Sequence, residues 1–188
     1  YLKDLLVKHE DIRLRLSRKY KYIMVDEYQD TNKLQAYIVC LLASEHKNIM
    51  VVGDDAQSIY SFRGANFKNI IDFPKIFKDV KIITLEENYR STQPILNLTN
   101  EVIAQAKEKF DKELFTRKKG KKLPVFVDAR DENSQSKYIA DKILELRENG
   151  VEIGAMAVLF RSGWHSNDLE VELASRNINV NAVAPGFI

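Results

Sequence analysis

The chain has 188 residues, of which 45% are hydrophobic and 30% are charged, and its 29 basic and 27 acidic side chains leave a net charge of +2. This composition is typical of a globular protein with a proper core. Since the net charge is small, it indicates no partner, and any argument for nucleic acid must rest on local clusters. The single cysteine, Cys40, excludes an internal disulfide, and its apolar surroundings favour a core position over a nucleophilic role.

Hydropathy and the start of the chain bear on where the protein works. No apolar run approaches the roughly 18 residues of a membrane span, and no secretory leader opens the sequence. We therefore expect a cytoplasmic protein. The sequence begins at Tyr1 rather than at a methionine, which predicts a fragment of a longer protein, called the parent protein below.

Strand and helix patterns alternate through the first half of the chain. In order, we predict a helical stretch over residues 1–20, a strand over 22–25, a helix over 34–44, a strand over 49–52, a short helix over 66–73 that stops near Pro74, a strand over 81–85 and a long helix over 92–110. The strands are continuously apolar, as expected where both faces of a sheet are covered. Alternating strands and helices predict an α/β fold with a parallel sheet.

A second α/β pattern follows a basic segment at residues 117–122, and we expect a domain boundary between about residues 89 and 122. The basic segment is predicted to be a solvated loop, with phosphate binding as the alternative. Beyond it we predict a strand over 125–127, a helix over 136–148, a strand over 156–160 and a helix over 168–176. The chain is therefore predicted to hold two incomplete α/β units in series.

The first motif, DEYQDTN at residues 26–32, directly follows a predicted strand. Ligands of parallel α/β sheets bind outside the carboxyl ends of the strands, and carboxylates suit a magnesium ion that bridges nucleotide phosphates. Asp26 fits a residue that holds the metal, and Glu27 fits a group that activates the attacking water. The alternative is an acidic turn that caps the next helix.

The second motif, GDDAQSIYSFRGA at residues 53–65, follows the next predicted strand. Gln57 is a neutral donor and acceptor, suited to a γ-phosphate or to its attacking water. Tyr60, Phe62 and Arg63 are suited to single-stranded nucleic acid, since stacking of a base on an aromatic ring contributes roughly 1–3 kcal/mol. Alternatively, the aromatic side chains form the core of a loop.

The third motif, LEENYRST at residues 85–92, precedes the long predicted helix. Tyr89 can stack on adenine, and Arg90 can reach the γ-phosphate, where a positive side chain contributes roughly 10³–10⁵ in rate. The alternative is a surface arginine that pairs with Glu86 or Glu87.

In this order and at this spacing, the three motifs resemble the UvrD/Rep/PcrA family of superfamily 1 DNA helicases. The resemblance extends over about residues 1–178, and Phe62 stands where the family often has tryptophan. It implies a RecA-like P-loop NTPase sheet, with parts of two RecA-like domains in series. Residues 1–90 would be the latter part of the first domain, 91–122 a helix and linker, and 123–188 the start of the second.

The resemblance also implies a reaction and its ligands. The parent protein would be an ATP-dependent 3′→5′ DNA helicase, using ATP and Mg²⁺ to move on single-stranded DNA and to unwind duplex junctions beside replication or repair proteins. The implied catalytic residues are Glu27, Gln57 and Arg90. The implied nucleotide-binding residues are Asp26, Glu27, Gln57, Tyr89 and Arg90, of which Asp26 and Glu27 hold the metal. The implied DNA-binding residues are Tyr60, Phe62, Arg63 and, in the second half, Arg161.

Two further residues of the second half, Trp164 and His165, are candidates for contact with the DNA strand. Trp164 suits packing equally well. His165 has no metal-ligating partner at a suitable spacing in the sequence.

Two features depart from the family pattern. The phosphate-binding loop G-x-x-x-x-G-K-[ST] does not occur in these residues. We expect that loop upstream of Tyr1 and a later arginine motif downstream, so that the isolated chain is not a competent motor. The tail at residues 180–188 departs from the family, and residues 172–188 resemble a segment of short-chain dehydrogenases, which also have a pair like Tyr138 and Lys142. However, the spacing from Lys142 to Asn181 is too long for that fold, and the sequence has no glycine-rich dinucleotide loop.

The sequence leaves two function classes open besides a motor. A non-catalytic single-stranded DNA-binding relative of the helicase scaffold is the main alternative, although such a protein needs none of Asp26, Glu27, Gln57 and Arg90. A dehydrogenase rests on the tail alone and predicts tight NAD binding. We expect the helicase, and we assign the tail no chemistry.

Overall fold

The computed structural model describes residues 1–77 and 79–179, and for Arg63 it describes the backbone alone. The tail at residues 180–188 lies outside the described residues. The chain forms two compact units, Tyr1–Pro124 and Val125–Ile188, and each is described by itself. None of the described helices is both long enough and apolar enough to cross a membrane.

A two-stranded parallel sheet organises the first unit. Strand β1 (Ile23–Val25) pairs in register with strand β2 (Ile49–Val51). The pairing continues one residue further, because the Val52 amide donates to the Val25 carbonyl at 2.8 Å. Both predicted strands are confirmed, and the motifs that follow them leave the sheet at the same edge.

The two faces of this sheet differ. The inner face packs against a hydrophobic core that contains Tyr28, Ala36, Ile70 and Phe73. On the outer face, Met24 and Met50 lie opposite each other, with 72% and 52% of their surfaces exposed. The prediction that both faces are covered is therefore wrong for the described part of the chain, because an apolar run specifies burial only where another element supplies the cover.

The predicted helical stretch at the start of the chain is confirmed as two helices, α1 (Leu2–Lys8) and α2 (Glu10–Lys19). They separate at His9, whose backbone is extended, with φ −119° and ψ 91°. Both helices pack against α3 (Lys33–Leu42), which connects β1 to β2.

Helix α3 begins in a capping box. The Asn32 side chain accepts from the Gln35 amide at 2.9 Å, and the Gln35 side chain accepts from the Asn32 amide at 2.8 Å. Cys40 on this helix is partly buried, and burial raises the pKa of its thiol. Because a raised pKa keeps the thiol protonated, a nucleophilic role is disfavoured.

Helix α4 (Lys68–Ile76) continues through Pro74 instead of stopping near it, so the predicted end at residue 73 is wrong. Proline removes one backbone hydrogen bond from a helix interior. Aromatic packing offsets that loss, because the Phe73 ring lies 5.5 Å from Tyr28 and 5.2 Å from Phe77, measured between centroids. The turn around the proline is therefore held by the core.

Helix α5 (Gln93–Ala104) is shorter than the predicted helix over residues 92–110. Lys109 explains the early end, since its ammonium donates to the carbonyls of Ile103 at 3.3 Å and Ala104 at 2.6 Å. A cation at a helix C-terminus satisfies carbonyls that lack a partner and interacts favourably with the helix dipole.

Three predicted strands do not form: residues 81–85, 125–127 and 156–160 are extended or irregular and have no ladder partner among the described residues. In the described part of the first unit, the segment near residue 85 contributes one isolated bridge, between Glu87 and Phe115. A β-strand forms only where a neighbouring segment pairs with it through backbone hydrogen bonds. Apolar composition alone does not provide that partner segment.

The second unit is a pair of packed helices, α6 (Glu132–Glu148) and α7 (Asn167–Ala174). Both predicted helices are confirmed, with bounds shifted by up to four residues. Their shared core consists of Ala140, Leu169, Leu173 and Ile178. At its rim, Arg176 pairs with Asp141 on α6 and Glu172 on α7.

Candidate functional site

The first two motifs meet at the carboxyl edge of the sheet. Asp26 and Glu27 follow β1, and Gly53 and Asp54 follow β2 one residue later. Past the strands, the Tyr28 amide donates to the Val52 carbonyl at 2.9 Å. Backbone hydrogen bonds thus hold the first two motifs together.

Glu27 has a left-handed backbone, with φ 48° and ψ 44°. That conformation is uncommon for a residue with a side chain and is concentrated at functional sites. Two side-chain bonds hold it: Asp26 Oδ1 accepts from the Glu27 amide at 2.9 Å, and Glu27 Oε2 accepts from Gln29 Nε2 at 2.8 Å. The Glu27 carboxylate is thus fixed and still exposed.

Gln29 connects the two motifs from a buried position, with 1% of its surface exposed. Its Nε2 donates to Glu27, and its Oε1 accepts from the Asp54 amide at 3.0 Å. Gly53 makes room for it, since a Cβ there would lie 2.4 Å from Gln29 Oε1. A side chain at position 53 would therefore displace the amide that joins the motifs.

Asp54 is the centre of the second motif. It accepts from the Ala56 amide at 3.0 Å, from Gln57 Nε2 at 2.8 Å and from the Lys112 ammonium. Burial alone would raise its pKa, but the Lys112 and Gln57 hydrogen bonds and the Lys112 charge outweigh burial and lower the pKa of Asp54. The carboxylate is therefore ionised and orients Gln57.

The aromatic segment lies just beyond Gln57. The Tyr60 and Phe62 rings are 6.1 Å apart at 45°, and Phe62 is 73% exposed while Tyr60 is partly buried. Gly64 closes the segment with φ 84°, a conformation that glycine adopts without strain. The backbone of Arg63 belongs to this turn, and its side chain lies outside the described atoms.

Thr31 ties the first motif to the far end of the second. Its carbonyl accepts from the Asn66 amide at 3.0 Å and from Asn69 Nδ2 at 2.9 Å, and its hydroxyl donates to the Tyr28 carbonyl at 2.6 Å. Hydrogen bonds of this one residue thus join the loop that carries Glu27 to the residues that follow the aromatic segment.

The third motif is organised by Asn88, whose Oδ1 accepts from the amides of Arg90 and Ser91 at 2.9 and 2.8 Å. The Tyr89 ring is 77% exposed. In the described part of the chain, no hydrogen bond or ion pair joins the side chains of Tyr89 or Arg90 to the first two motifs. These two predicted site residues are displayed at the surface, and the structure does not bring them into contact with Glu27.

The alternative for Arg90, a surface pair with a neighbouring glutamate, is not observed. Glu87 pairs with Arg117 at 3.3 Å, and Glu86 Oε1 accepts from the Glu113 amide at 3.1 Å. The Arg90 guanidinium makes no ion pair with any described residue, and Arg90 is exposed.

Two family descriptions cover almost all of the chain. "UvrD/REP helicase N-terminal domain" matches residues 1–78, and "UvrD-like helicase C-terminal domain" matches residues 83–186, more than half of the chain. The chain belongs to the UvrD-like helicase family. The second match reaches residue 186, beyond the predicted limit of 178, and so includes most of the tail that was predicted to depart from the family pattern.

Named relatives agree with this UvrD-like assignment. The chain is 42% identical over 160 residues to proteins named ATP-dependent DNA helicase PcrA from Staphylococcus epidermidis and Staphylococcus aureus, which covers 85% of this chain and 22% of each relative. It is 42% identical over 172 residues to a probable DNA helicase II homolog from Rickettsia conorii, covering 90% of this chain and 26% of that protein. The chain thus spans about a quarter of the length of the curated relatives it matches.

Sequence reasoning about this UvrD-like chain missed three residues of the network: Gln29, Asp54 and Lys112. Gln29 and Asp54 could have been identified from the sequence, since each is a polar residue within four positions of the end of a strand. Nothing in the sequence identified Lys112 as a site residue, because it lies 58 residues from Asp54.

The carboxylates after β1 fit a magnesium ion. Both residues are exposed, and Asp26 and Glu27 each use one carboxylate oxygen in a hydrogen bond within the loop. Mg²⁺ is typically held by one or two carboxylates while it keeps several waters. The described residues contain no cluster of three or more His, Cys, Asp or Glu side chains for a metal held by protein alone.

The basic segment at residues 117–122 packs on the third motif. Arg117 pairs with Glu87, and the Lys118 ammonium donates to the Arg90 carbonyl at 2.9 Å. A Cβ at Gly120 would lie 2.4 Å from the Thr92 side chain. The predicted solvated loop is therefore irregular but anchored at these three points.

In the second unit, the Trp164 and His165 rings stack 3.7 Å apart at 26°, and Trp164 is 60% exposed. His165 Nδ1 lies 3.1 Å from the Ser162 carbonyl. Arg161 is exposed just before this turn. These side chains form a local aromatic and cationic surface of the second unit.

Proposed function

We propose that the parent protein is an ATP-dependent 3′→5′ DNA helicase. We also propose that this chain contributes residues of its ATP-hydrolysis site, at the carboxyl edge of the sheet. The observation that carries the proposal is the hydrogen-bonded chain from Glu27 through Gln29 and Asp54 to Gln57. It links a fixed carboxylate to an oriented amide at the carboxyl edge of a parallel sheet, where such folds bind their ligands. The names of the relatives support the use of ATP.

The proposed fold is a RecA-like P-loop sheet completed by parts of the parent protein outside this chain. Residues 1–90 belong to the first RecA-like domain, 91–122 form a helix and linker, and 123–188 begin the second. The parallel pairing of β1 with β2 supports the first of these assignments.

In the proposed hydrolysis, each polar group of the site has a role. Glu27 takes the proton from the attacking water on the carboxylate oxygen that Gln29 leaves open. Gln57 orients that water, Arg90 neutralises charge that develops on the γ-phosphate, and Tyr89 stacks on adenine. Asp26, together with Glu27, would hold Mg²⁺, which would offset the charge of the phosphates when bound.

Movement along DNA uses the aromatic segment. Tyr60, Phe62 and Arg63 contact the single strand, and stacking there tolerates any base. Thr31 supports this coupling, since it bonds both the Glu27 loop and the residues after the aromatic segment. Arg161 contacts the strand from the second domain, and the 3′→5′ direction is taken from the family.

The proposal extends to setting and partners. We place the parent protein in the cytoplasm, on single-stranded DNA and duplex junctions, beside replication or repair proteins. The packing of residues 117–122 on the third motif is consistent with a structural role for that basic segment.

The test is ATP hydrolysis by the parent protein with and without single-stranded DNA, beside a Glu27→Gln version. We expect strong stimulation by DNA and a loss of hydrolysis in the variant, because the amide cannot accept the proton. Hydrolysis that ignores DNA would contradict the coupling role of Tyr60 and Phe62. Strand binding without hydrolysis would favour a non-catalytic DNA-binding relative.

A further inference from the structure

Lys112 reaches the site from a distant part of the sequence. Its ammonium donates to Asp54 and, at 3.0 Å, to Asp55 Oδ1. The three side chains are largely removed from solvent, with 12%, 27% and 5% of their surfaces exposed for Lys112, Asp54 and Asp55. A buried charge is retained only where partners compensate it, so this cluster has little freedom to rearrange.

The ion pair fixes the Asp54 carboxylate. Asp54 Oδ1 accepts from Lys112 and from the Ala56 amide, which leaves Oδ2 for Gln57 Nε2 at 2.8 Å. A carboxylate only accepts, so the NH₂ group of Gln57 must face Asp54 and its Oε1 must point away. The orientation of an exposed amide is thus set by a partly buried cation.

The backbone around Lys112 is itself anchored to two motifs. The Phe110 amide donates to Asp55 Oδ2 at 3.2 Å, and the Glu113 amide donates to Glu86 Oε1 at 3.1 Å. Lys112 therefore approaches Asp54 from a segment that is held on both sides.

We propose that Lys112 is a positioning residue that fixes the Gln57 amide through Asp54 and presents the Gln57 oxygen as an acceptor for the attacking water. The identity of that ligand rests on the proposed function. A water molecule can donate to this oxygen, whereas a fully ionised phosphate oxygen has no hydrogen to donate. Gln57 thus acts on the nucleophile through Oε1.

The first experiment measures ATP hydrolysis by the parent protein carrying Lys112→Gln. Misplacing a group that orients the nucleophile lowers kcat by about 10- to 100-fold, and KM for ATP stays within about twofold because the side chain does not touch the nucleotide. Lys112→Arg restores most of kcat by keeping the charge. A change in KM with kcat unchanged would overturn the proposal.

The control is Lys107→Gln, which removes an exposed lysine from the same stretch of chain. Lys107 makes no ion pair with any described residue, so its variant keeps the wild-type kcat. An equal loss of kcat in both variants would mean that net charge matters and not the Asp54 contact, and would overturn the proposal.

A double variant tests the route through Asp54. Asparagine at position 54 has one acceptor oxygen and cannot serve both Gln57 and Lys112. Asp54→Asn therefore lowers kcat on its own, and adding Lys112→Gln lowers it little further. If the fold-losses of kcat in the two single variants instead multiply in the double variant, Lys112 does not act through Asp54. If Lys112→Gln does not fold, Asp54→Asn alone carries the kcat test.

A measurement on the 188-residue chain separates this proposal from the proposed function. The NMR signals of the Gln57 side-chain amide shift and broaden in Lys112→Gln and keep their wild-type positions in Lys107→Gln. Unchanged Gln57 signals in Lys112→Gln would overturn the positioning role even if the parent protein hydrolyses ATP. A parent protein without hydrolysis would reject the proposed function and leave this result to decide the positioning role.

Discussion

The two units of the chain are stabilised in different ways. In the first, a buried amide and a partly buried ion pair join segments 25 and 58 residues apart in the sequence, at the edge of a small sheet. In the second, two helices share an apolar core, and the candidate DNA-contact residues Arg161 and Trp164 lie on one short turn. Polar groups far apart in sequence therefore specify the site in the first unit, whereas the second displays its candidates on a local element.

The largest effect is expected from deleting a core side chain in either unit. Phe73→Ala removes a ring that contacts Tyr28 and Phe77, and it lowers the free energy of unfolding by about 3–5 kcal/mol. In the second unit, Leu169→Ala lowers the free energy of unfolding by about 2–5 kcal/mol. Amide hydrogen exchange of the whole chain checks both. Protection lost in both units from one substitution would break the comparison, because it would mean that they unfold together.

Gly53→Ala is expected to have the next largest effect. The added Cβ would lie 2.4 Å from Gln29 Oε1 and 2.8 Å from Ile70 Cδ1, so we expect about 1–3 kcal/mol of destabilisation. Gly154→Ala in the second unit is the matched control, since nothing lies within 4 Å of its added Cβ. Thermal unfolding compares the two variants, and equal melting temperatures would contradict the buried Gln29 network.

Asn69→Ala sharpens the comparison within the first unit. It removes two hydrogen bonds to Thr31, at 2.9 and 3.1 Å, with an expected cost of about 1 kcal/mol. In the parent protein we expect DNA-stimulated hydrolysis to fall while the rate without DNA is kept. If both rates fell together, the link through Thr31 would be structural only.

The smallest effect concerns pH. The pKa of Asp54 is lowered by Lys112 and Gln57 against the raising effect of burial. A carboxyl group whose pKa is lower in the folded state stabilises the fold above its unfolded pKa, and this contribution is lost as pH falls through the folded pKa. Acid titration should therefore weaken the first unit by less in Asp54→Asn than in the wild type. Hydrogen exchange at several acidic pH values measures the difference, and parallel curves would contradict it.

Residues close to strand ends in the sequence could be assigned to the site without coordinates. Asp26, Glu27 and Gln57 follow continuous apolar strands, and parallel pairing then brings them to one edge. Lys112 could not be assigned, because its contact with Asp54 depends on where α5 ends and how the chain returns. The link between the first two motifs likewise depends on the buried side chain of Gln29.

The failed strand predictions have a common cause. Residues 81–85, 125–127 and 156–160 have strand-like composition, yet each lacks a ladder partner among the described residues. Amino-acid composition describes the side chains of one segment, whereas a β-strand forms only when two segments pair through backbone hydrogen bonds. Helices close their hydrogen bonds internally, and this is why the seven described helices were located far better than the strands.

The exposed methionines on the sheet supply a chemical reporter. Met24 and Met50 lie opposite each other and are both exposed, so we expect dilute peroxide to oxidise both thioethers. Quantifying their sulfoxides by mass spectrometry, in this chain and in the parent protein, therefore measures solvent access to that sheet face at two adjacent points. If both sulfurs are oxidised more slowly in the parent protein than in this chain, this face of the sheet is buried in the larger molecule. The measurement needs neither a label nor a mutation.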